Sequence, residues 1–189
     1  MKIAKNYKKN IYCLEGNWEK DLRKKTSVDF SLMFLEKNCG IKYIHKHCGT
    51  KETLHYYLSN WKAKKYKSYS ICYFAFHGFE GEITVGKDRV TLEEIADELE
   101  GSCKDKIMFF GSCLVLQADR SRINDFLKRT GALCVCGYKA SVDFLASSVF
   151  EMLVIDMMQS YKDISCVQRD ISLYYSALAK ELDFKIYTL

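Results

Sequence analysis

Short apolar runs alternate with amphipathic segments along the whole chain, and this alternation predicts the fold. Asn10–Leu14 reads as a first strand (Ile11, Tyr12, Cys13, Leu14), with Glu15-Gly16-Asn17 as the turn that follows. Thr26 or Ser27 caps a helix running through Asn38, with Phe30, Met33, Phe34 and Lys37 spaced for one face, and Asn38-Cys39-Gly40 stops it. Ile41–His47 alternates as a second strand. A helix then opens at Thr50, carries Leu54, Tyr57, Leu58 and Trp61 on one stripe, and ends near Lys65. Ser68–Phe76 gives the strongest strand signal, apolar on nearly every position. A strand apolar on both faces is buried on both, as in a parallel sheet covered by helices.

The second half continues the pattern. Gly81–Gly86 predicts a small exposed hairpin arm, and Thr91-x-x-Glu94 a capping box opening a helix to Gly101. Ile107–Phe110 is another buried strand. A helix follows around Arg122–Thr130, then a strand over Ala132–Cys136 ending at Gly137-Tyr138. Ser141 or Asp143 starts a long helix to about Tyr161, and a last helix covers Ile164–Leu182. Strands alternating with helices predict an α/β three-layer sandwich: a mainly parallel sheet with helices on both faces, in a single domain spanning residues 1–189.

Composition agrees with that picture. The 189 residues are 48% hydrophobic and 28% charged, include no proline, and form no low-complexity stretch. No apolar run reaches the roughly 18 residues of a membrane helix, and the basic start Met1–Lys9 is not followed by an apolar signal region. The expected location is cytoplasmic, with no membrane partner. The nine cysteines are odd in number and form no Cys-x-x-Cys pair, which suits a reducing compartment. Lys, Asn, Ile and Tyr are used heavily, as in AT-rich microbial genomes. Residues 1–68 carry 16 Lys and Arg against 6 Asp and Glu, and the remainder 13 against 18. With no nucleic-acid-binding motif, the basic half reads as a solvated surface, and nucleic acid is not an expected partner.

The chemistry gathers at two strand ends. In a parallel sheet, sites form at the carboxyl ends of the strands, and there stand His77-Gly78 and Gly111-Ser112-Cys113. One helix separates the two strands, so they can lie side by side, about 4.8 Å apart. A thiol nucleophile needs a base, and histidine is the group suited to neutral pH. The N–H groups of Gly78 and Cys113 form a candidate oxyanion hole, where one donor is typically worth roughly 3–4 kcal/mol. His45-Lys46-His47-Cys48 suggests metal ligation, but His45 and His47 share a face without Cys48 and no second ligand pair has zinc-like spacing. No metal or other cofactor is expected. Ser112 lacks the Gly-x-Ser-x-Gly elbow of a serine nucleophile.

These blocks resemble a known group. Tyr73-Phe74-Ala75-Phe76-His77-Gly78, then Ile107-Met108-Phe109-Phe110-Gly111-Ser112-Cys113, look like the successive motifs of caspase-like peptidases. The third block, Cys136–Ala146, is similar to that of CHAT (caspase-like, HetF-associated) domains: a Gly-aromatic pair, then a Val-x-Asp-x-x-Ala-type helix start. The likeness spans roughly Asn10 to Tyr161. It implies a clan CD cysteine peptidase of bacterial type with the caspase-hemoglobinase fold. Cys113 would then be nucleophile and His77 general base. A protein or peptide would be the substrate, and a regulatory protein or small-molecule signal would supply control. Bacterial members often act in defence or self-killing.

The Gln-Ala-Cys-x-Gly signature of animal caspases is absent, so aspartate specificity does not carry over. The candidate substrate-binding set is Asp143, Glu80, Gly111 and Tyr138, with Glu82 beside Glu80. By the family analogy Asp143 pairs with a Lys or Arg of the substrate; by the helix rule it caps the N-terminus. The alternative function is a catalytically silent caspase-like module that binds a partner or signalling ligand. A nucleotide-binding α/β domain lacks support, since Glu15-Gly16-Asn17-Trp18 replaces a Gly-rich phosphate loop.

Overall fold

A computed structural model describes residues 5–21 and 23–189, so the first four residues of the basic start lie outside it. The chain runs β1 (Ile11–Glu15), α1 (Asp29–Cys39), β2 (Tyr43–His47), α2 (Lys51–Trp61) and β3 (Ile71–Ala75). An antiparallel arm follows: β4 (Gly78–Phe79), β5 (Glu82–Val85) and β6 (Asp88–Thr91). Then come α3 (Leu92–Leu99), β7 (Ile107–Phe110), α4 (Arg120–Thr130), β8 (Cys134–Tyr138) and α5 (Phe144–Met158). The chain closes with α6 (Ile164–Tyr174), α7 (Ser176–Glu181) and β9 (Phe184–Tyr187).

The main sheet has six strands in the order β2-β1-β3-β7-β8-β9, parallel except for β9. Because successive side chains point to opposite faces, each inner strand feeds two cores. Tyr12, Leu14, Cys72, Phe74, Met108 and Phe110 meet α2, α3 and α4 on one face. Ile11, Cys13, Ile71, Tyr73, Ile107 and Phe109 meet α1, α5 and α6 on the other. The protein is therefore the three-layer α/β sandwich that its apolar strands predict. Strand order reverses between β1 and β3, and open sheets place their crevices at such switch points. Among the described residues no helix is long and apolar enough to cross a membrane.

Three expectations need correction. The arm after β3 is not an exposed hairpin: it has three strands, and Ile83, Val85 and Val90 pack into the core. Helix α1 is turned away from its expected face: Phe30 is 69% exposed and Phe34 54%, while Leu32 and Leu35 are buried with Val28. The wall of α5 that receives α1 accepts the Leu32 and Leu35 stripe, so packing overrides the aromatic spacing. The last segment is also not one helix. It breaks at Tyr175, between α6 and α7, and reverses at Asp183 (φ 46°) into β9, which pairs antiparallel with β8. Phe184 there closes the core against Phe109, Tyr138 and Phe150. The capping box of Thr91 and Glu94 forms as expected.

Leu32→Ala is expected to cost about 2–5 kcal/mol in urea unfolding, whereas Phe30→Ser stays within about 0.5 kcal/mol of wild type. The reverse ranking would show that the aromatic face is the buried one.

Candidate active site

The β3–β7 register pairs Phe74 with Phe110. His77 and Cys113 each stand three residues beyond that pair, so both chains leave the sheet together. Ser112 clamps the two exits: its buried hydroxyl donates to the Phe74 carbonyl (3.2 Å) and accepts from the Phe76 N–H (3.2 Å). That occupies the serine structurally and turns the next side chain, Cys113, outward. The backbones then touch. A Cβ on Gly78 would lie 2.3 Å from the Cys113 carbonyl oxygen, so only glycine allows this approach. Leu114 next to the cysteine adopts left-handed geometry (φ 62°), an uncommon state for a branched residue and typical of sharp functional turns.

The thiol meets the backbone of Val142. The Val142 N–H donates to Cys113 Sγ at 3.4 Å, a contact that strengthens when the sulfur carries charge. The Cys113 N–H has no acceptor among the described residues. In the arm, the Thr84 N–H donates to the His77 carbonyl (2.8 Å), which makes Gly78 and Ile83 a non-hydrogen-bonded pair and directs the Gly78 N–H away from β5. The two expected oxyanion donors are thus on adjoining backbones, neither spent on a ladder.

A third element completes the arrangement, and it comes from the loop after β1. His77 Nε2 lies 2.7 Å from the Trp18 carbonyl oxygen. A carbonyl can only accept, so Nε2 carries the proton and Nδ1 is left with a free lone pair. The Trp18 indole also packs edge-on against the His77 ring at 5.3 Å and against Phe144 at 5.3 Å. What holds Trp18 is Glu15, buried at the end of β1. Its carboxylate accepts from Trp18 Nε1 (2.6 Å), Ser27 Oγ (2.7 Å), the Val28 N–H (2.8 Å) and His45 Nε2 (2.6 Å). Burial pushes the Glu15 carboxyl up, but these four donors outweigh it and hold it below its usual range. The Glu15 hydrogen bond in turn raises His45, against its desolvation.

His77 and Cys113 open onto one cavity of about 330 Å³, between the loops after β1, β3, β7 and β8. Gly111 lies in its wall; a Cβ there would meet the Tyr73 ring at 2.6 Å. The Tyr73 hydroxyl donates to Glu151, a buried carboxylate of α5 that also lines the cavity.

Of the other expected site residues, Tyr138 is buried beneath the site, its hydroxyl 3.4 Å from the Ser147 carbonyl. Asp143 caps α5, accepting from the Ala146 N–H at 2.9 Å, and is not in the cavity wall. Glu80 is exposed in the β4–β5 turn, also away from the cavity, and Glu82 pairs with Arg89 at 3.4 Å. His45 is committed to Glu15, His47 lies 2.8 Å from Asn17 Oδ1, and no metal-binding cluster of three or more ligands occurs among the described residues. Sequence reasoning missed Trp18, Glu15 and Glu151. The signal for Glu151 was a single acid inside the apolar run Val149–Val154, one turn beyond Ser147 and Ser148.

Residues 8–188 match the model of a family of unknown function, DUF6642, and the chain belongs to that family. No curated protein matches it.

Two outcomes follow from this geometry. Gly78→Ala is expected to destabilise the protein by about 1–3 kcal/mol in urea titration, because its Cβ meets backbone that must move; an unchanged midpoint would mean that the two backbones do not touch. The stability margin of wild type over His45→Gln is expected to peak between pH 4.5 and 6.5. The raised His45 stabilises below 6.5 and loses its effect as pH rises through its folded value; the lowered Glu15 stabilises above 4.5 and loses its effect as pH falls. A margin in melting temperature that keeps growing to pH 9 would contradict the pair.

Proposed function

We propose that the protein is a cysteine endopeptidase of caspase-like type, with Cys113 as nucleophile and His77 as general base. The observation that carries this reading is the orientation of His77 by the Trp18 carbonyl, in a cavity that it lines together with the Cys113 thiol. A histidine serving only the fold has no need of a protonation state selected on one side and a free nitrogen on the other. The site's position at the carboxyl ends of β3 and β7, and its resemblance in motif order to caspase-like and CHAT domains, support the same assignment.

In this mechanism Sγ of Cys113 attacks the scissile carbonyl carbon while its proton passes to Nδ1 of His77. The carbonyl oxygen becomes an oxyanion between the N–H groups of Gly78 and Cys113. The C–N bond breaks as His77 returns the proton to the leaving amine. Water, deprotonated by His77, then hydrolyses the thioester and restores the thiol. The Trp18 carbonyl keeps the imidazole oriented, and Glu15 keeps Trp18 in place. A protein or peptide is the substrate, and a regulatory protein or bound signal controls the activity in a bacterial cytoplasm, in defence or self-killing.

The test is covalent labelling by a panel of peptidyl acyloxymethyl ketones, with the modified residue mapped by mass spectrometry. Wild type is expected to be labelled at Cys113, Cys113→Ala to remain unlabelled, and His77→Ala to react on the order of a hundredfold more slowly. Labelling that survives Cys113→Ala would overturn the assignment, and absence of labelling throughout the panel would leave a silent binding module as the better reading.

A further inference from the structure

The dyad does not account for the floor of its own cavity. Glu151 is 4% exposed, sits in an otherwise apolar stretch of α5, and lines the same cavity as Cys113 and His77. The groups facing it are Tyr73 on β3, Tyr138 and Cys136 on β8, Cys113 and His77 at the mouth, and Glu19 at the rim. No lysine or arginine forms an ion pair with it among the described residues. Burial pushes its carboxyl up to about 7, while the Tyr73 and Tyr138 hydroxyls favour the charged form. A buried acid without a cation is costly, and a neutral side chain of the same shape would serve packing better.

The route down to it has two characters. Val28, Tyr73, Val142 and Phe144 give apolar walls, and Ser147 and Ser148 add hydroxyls near the floor. At about 330 Å³ the cavity is at the small end of ligand-sized clefts, suited to one long side chain rather than several. An aliphatic stem with a charged head matches apolar walls above a carboxylate.

We propose that this cavity receives the substrate side chain on the acyl side of the scissile bond and selects lysine or arginine, with Glu151 as the counter-charge. This rests on the peptidase reading of Cys113 and His77. Glu151 is the specificity-determining residue, in the place where the sequence alone pointed to Asp143 or Glu80.

The experiment compares acyloxymethyl ketones that differ only in the residue bearing the ketone: lysine, arginine, norleucine or aspartate. Norleucine keeps the stem of lysine and lacks its charge. Alkylation of Cys113 by iodoacetamide, which does not occupy the cavity, reports an intact, accessible thiol. Wild type is expected to react with the lysyl and arginyl probes roughly tenfold or more faster than with norleucine. Glu151→Gln should remove that preference, with iodoacetamide alkylation reporting that Cys113 is still accessible in the variant.

Because Glu151→Gln is buried and can disturb folding, the lysine-to-norleucine rate ratio of wild type is also followed from pH 8.5 to 5.5. Any effect of pH on the reaction common to both probes cancels in the ratio. The ratio is expected to fall as pH drops through about 7, where the carboxylate becomes neutral. Equal wild-type rates for lysine and norleucine, a preference that survives in Glu151→Gln, or a ratio flat with pH would overturn the proposal while leaving the peptidase reading intact. Failure of every ketone at a thiol that iodoacetamide still alkylates would remove that reading and this one with it.

Discussion

Everything at the site depends on the parallel pairing of two strands that are buried on both faces. In β3 and β7, Phe74 stacks on Phe110 at 4.6 Å on one face while Tyr73 meets Phe109 at 5.5 Å on the other. A slip of one residue would send each of those rings to the wrong core, so the register is strongly specified. Once Phe74 is opposite Phe110, equal steps of three residues bring His77 and Cys113 out of the sheet together. Ser112 and Gly78 then convert neighbouring strand ends into touching backbones. The burial of large side chains, at about 25 cal/mol per Å² of apolar surface, thereby fixes the position of the exposed His77 and the half-buried Cys113.

The second layer of the site is electrostatic. Trp18 lies in a loop and would wander without an anchor. The anchor is Glu15, whose carboxylate gathers donors from the Trp18 indole, Ser27, Val28 and His45. That cluster sits one strand away from His77, yet it determines where the Trp18 carbonyl points and hence which histidine nitrogen is free. On the far side of the cavity, Tyr73 and Glu151 form another polar pair inside an apolar layer. Tyr73 belongs to the same strand that delivers His77, so the histidine and the support of the cavity floor come from one element.

The strands and their order of appearance were legible because two-faced burial leaves continuous apolar runs such as Ile71–Ala75 and Ile107–Phe110. His77 and Cys113 were legible for the same reason, as chemistry-bearing residues at the ends of such runs. The face of α1 was not, since Phe30 and Phe34 are as apolar as Leu32 and Leu35, and only the partner surface on α5 chooses between them. Strand β9 is four residues long and pairs across the sequence, with no local signal beyond Phe184 and Ile186. Trp18 acts through a backbone carbonyl, which every residue possesses, so no side-chain pattern could reveal it. Glu151 read as one polar position in a packed helix until the sheet placed it below Cys113.

The account stands most directly on one measurement: a crystal structure of the protein after reaction with a peptidyl aldehyde. It predicts a thiohemiacetal bond to Sγ of Cys113, with the new oxygen within hydrogen-bond distance of the N–H groups of Gly78 and Cys113 and His77 still bonded to the Trp18 carbonyl. An adduct on any other of the nine cysteines, or an oxygen turned away from both N–H groups, would contradict it.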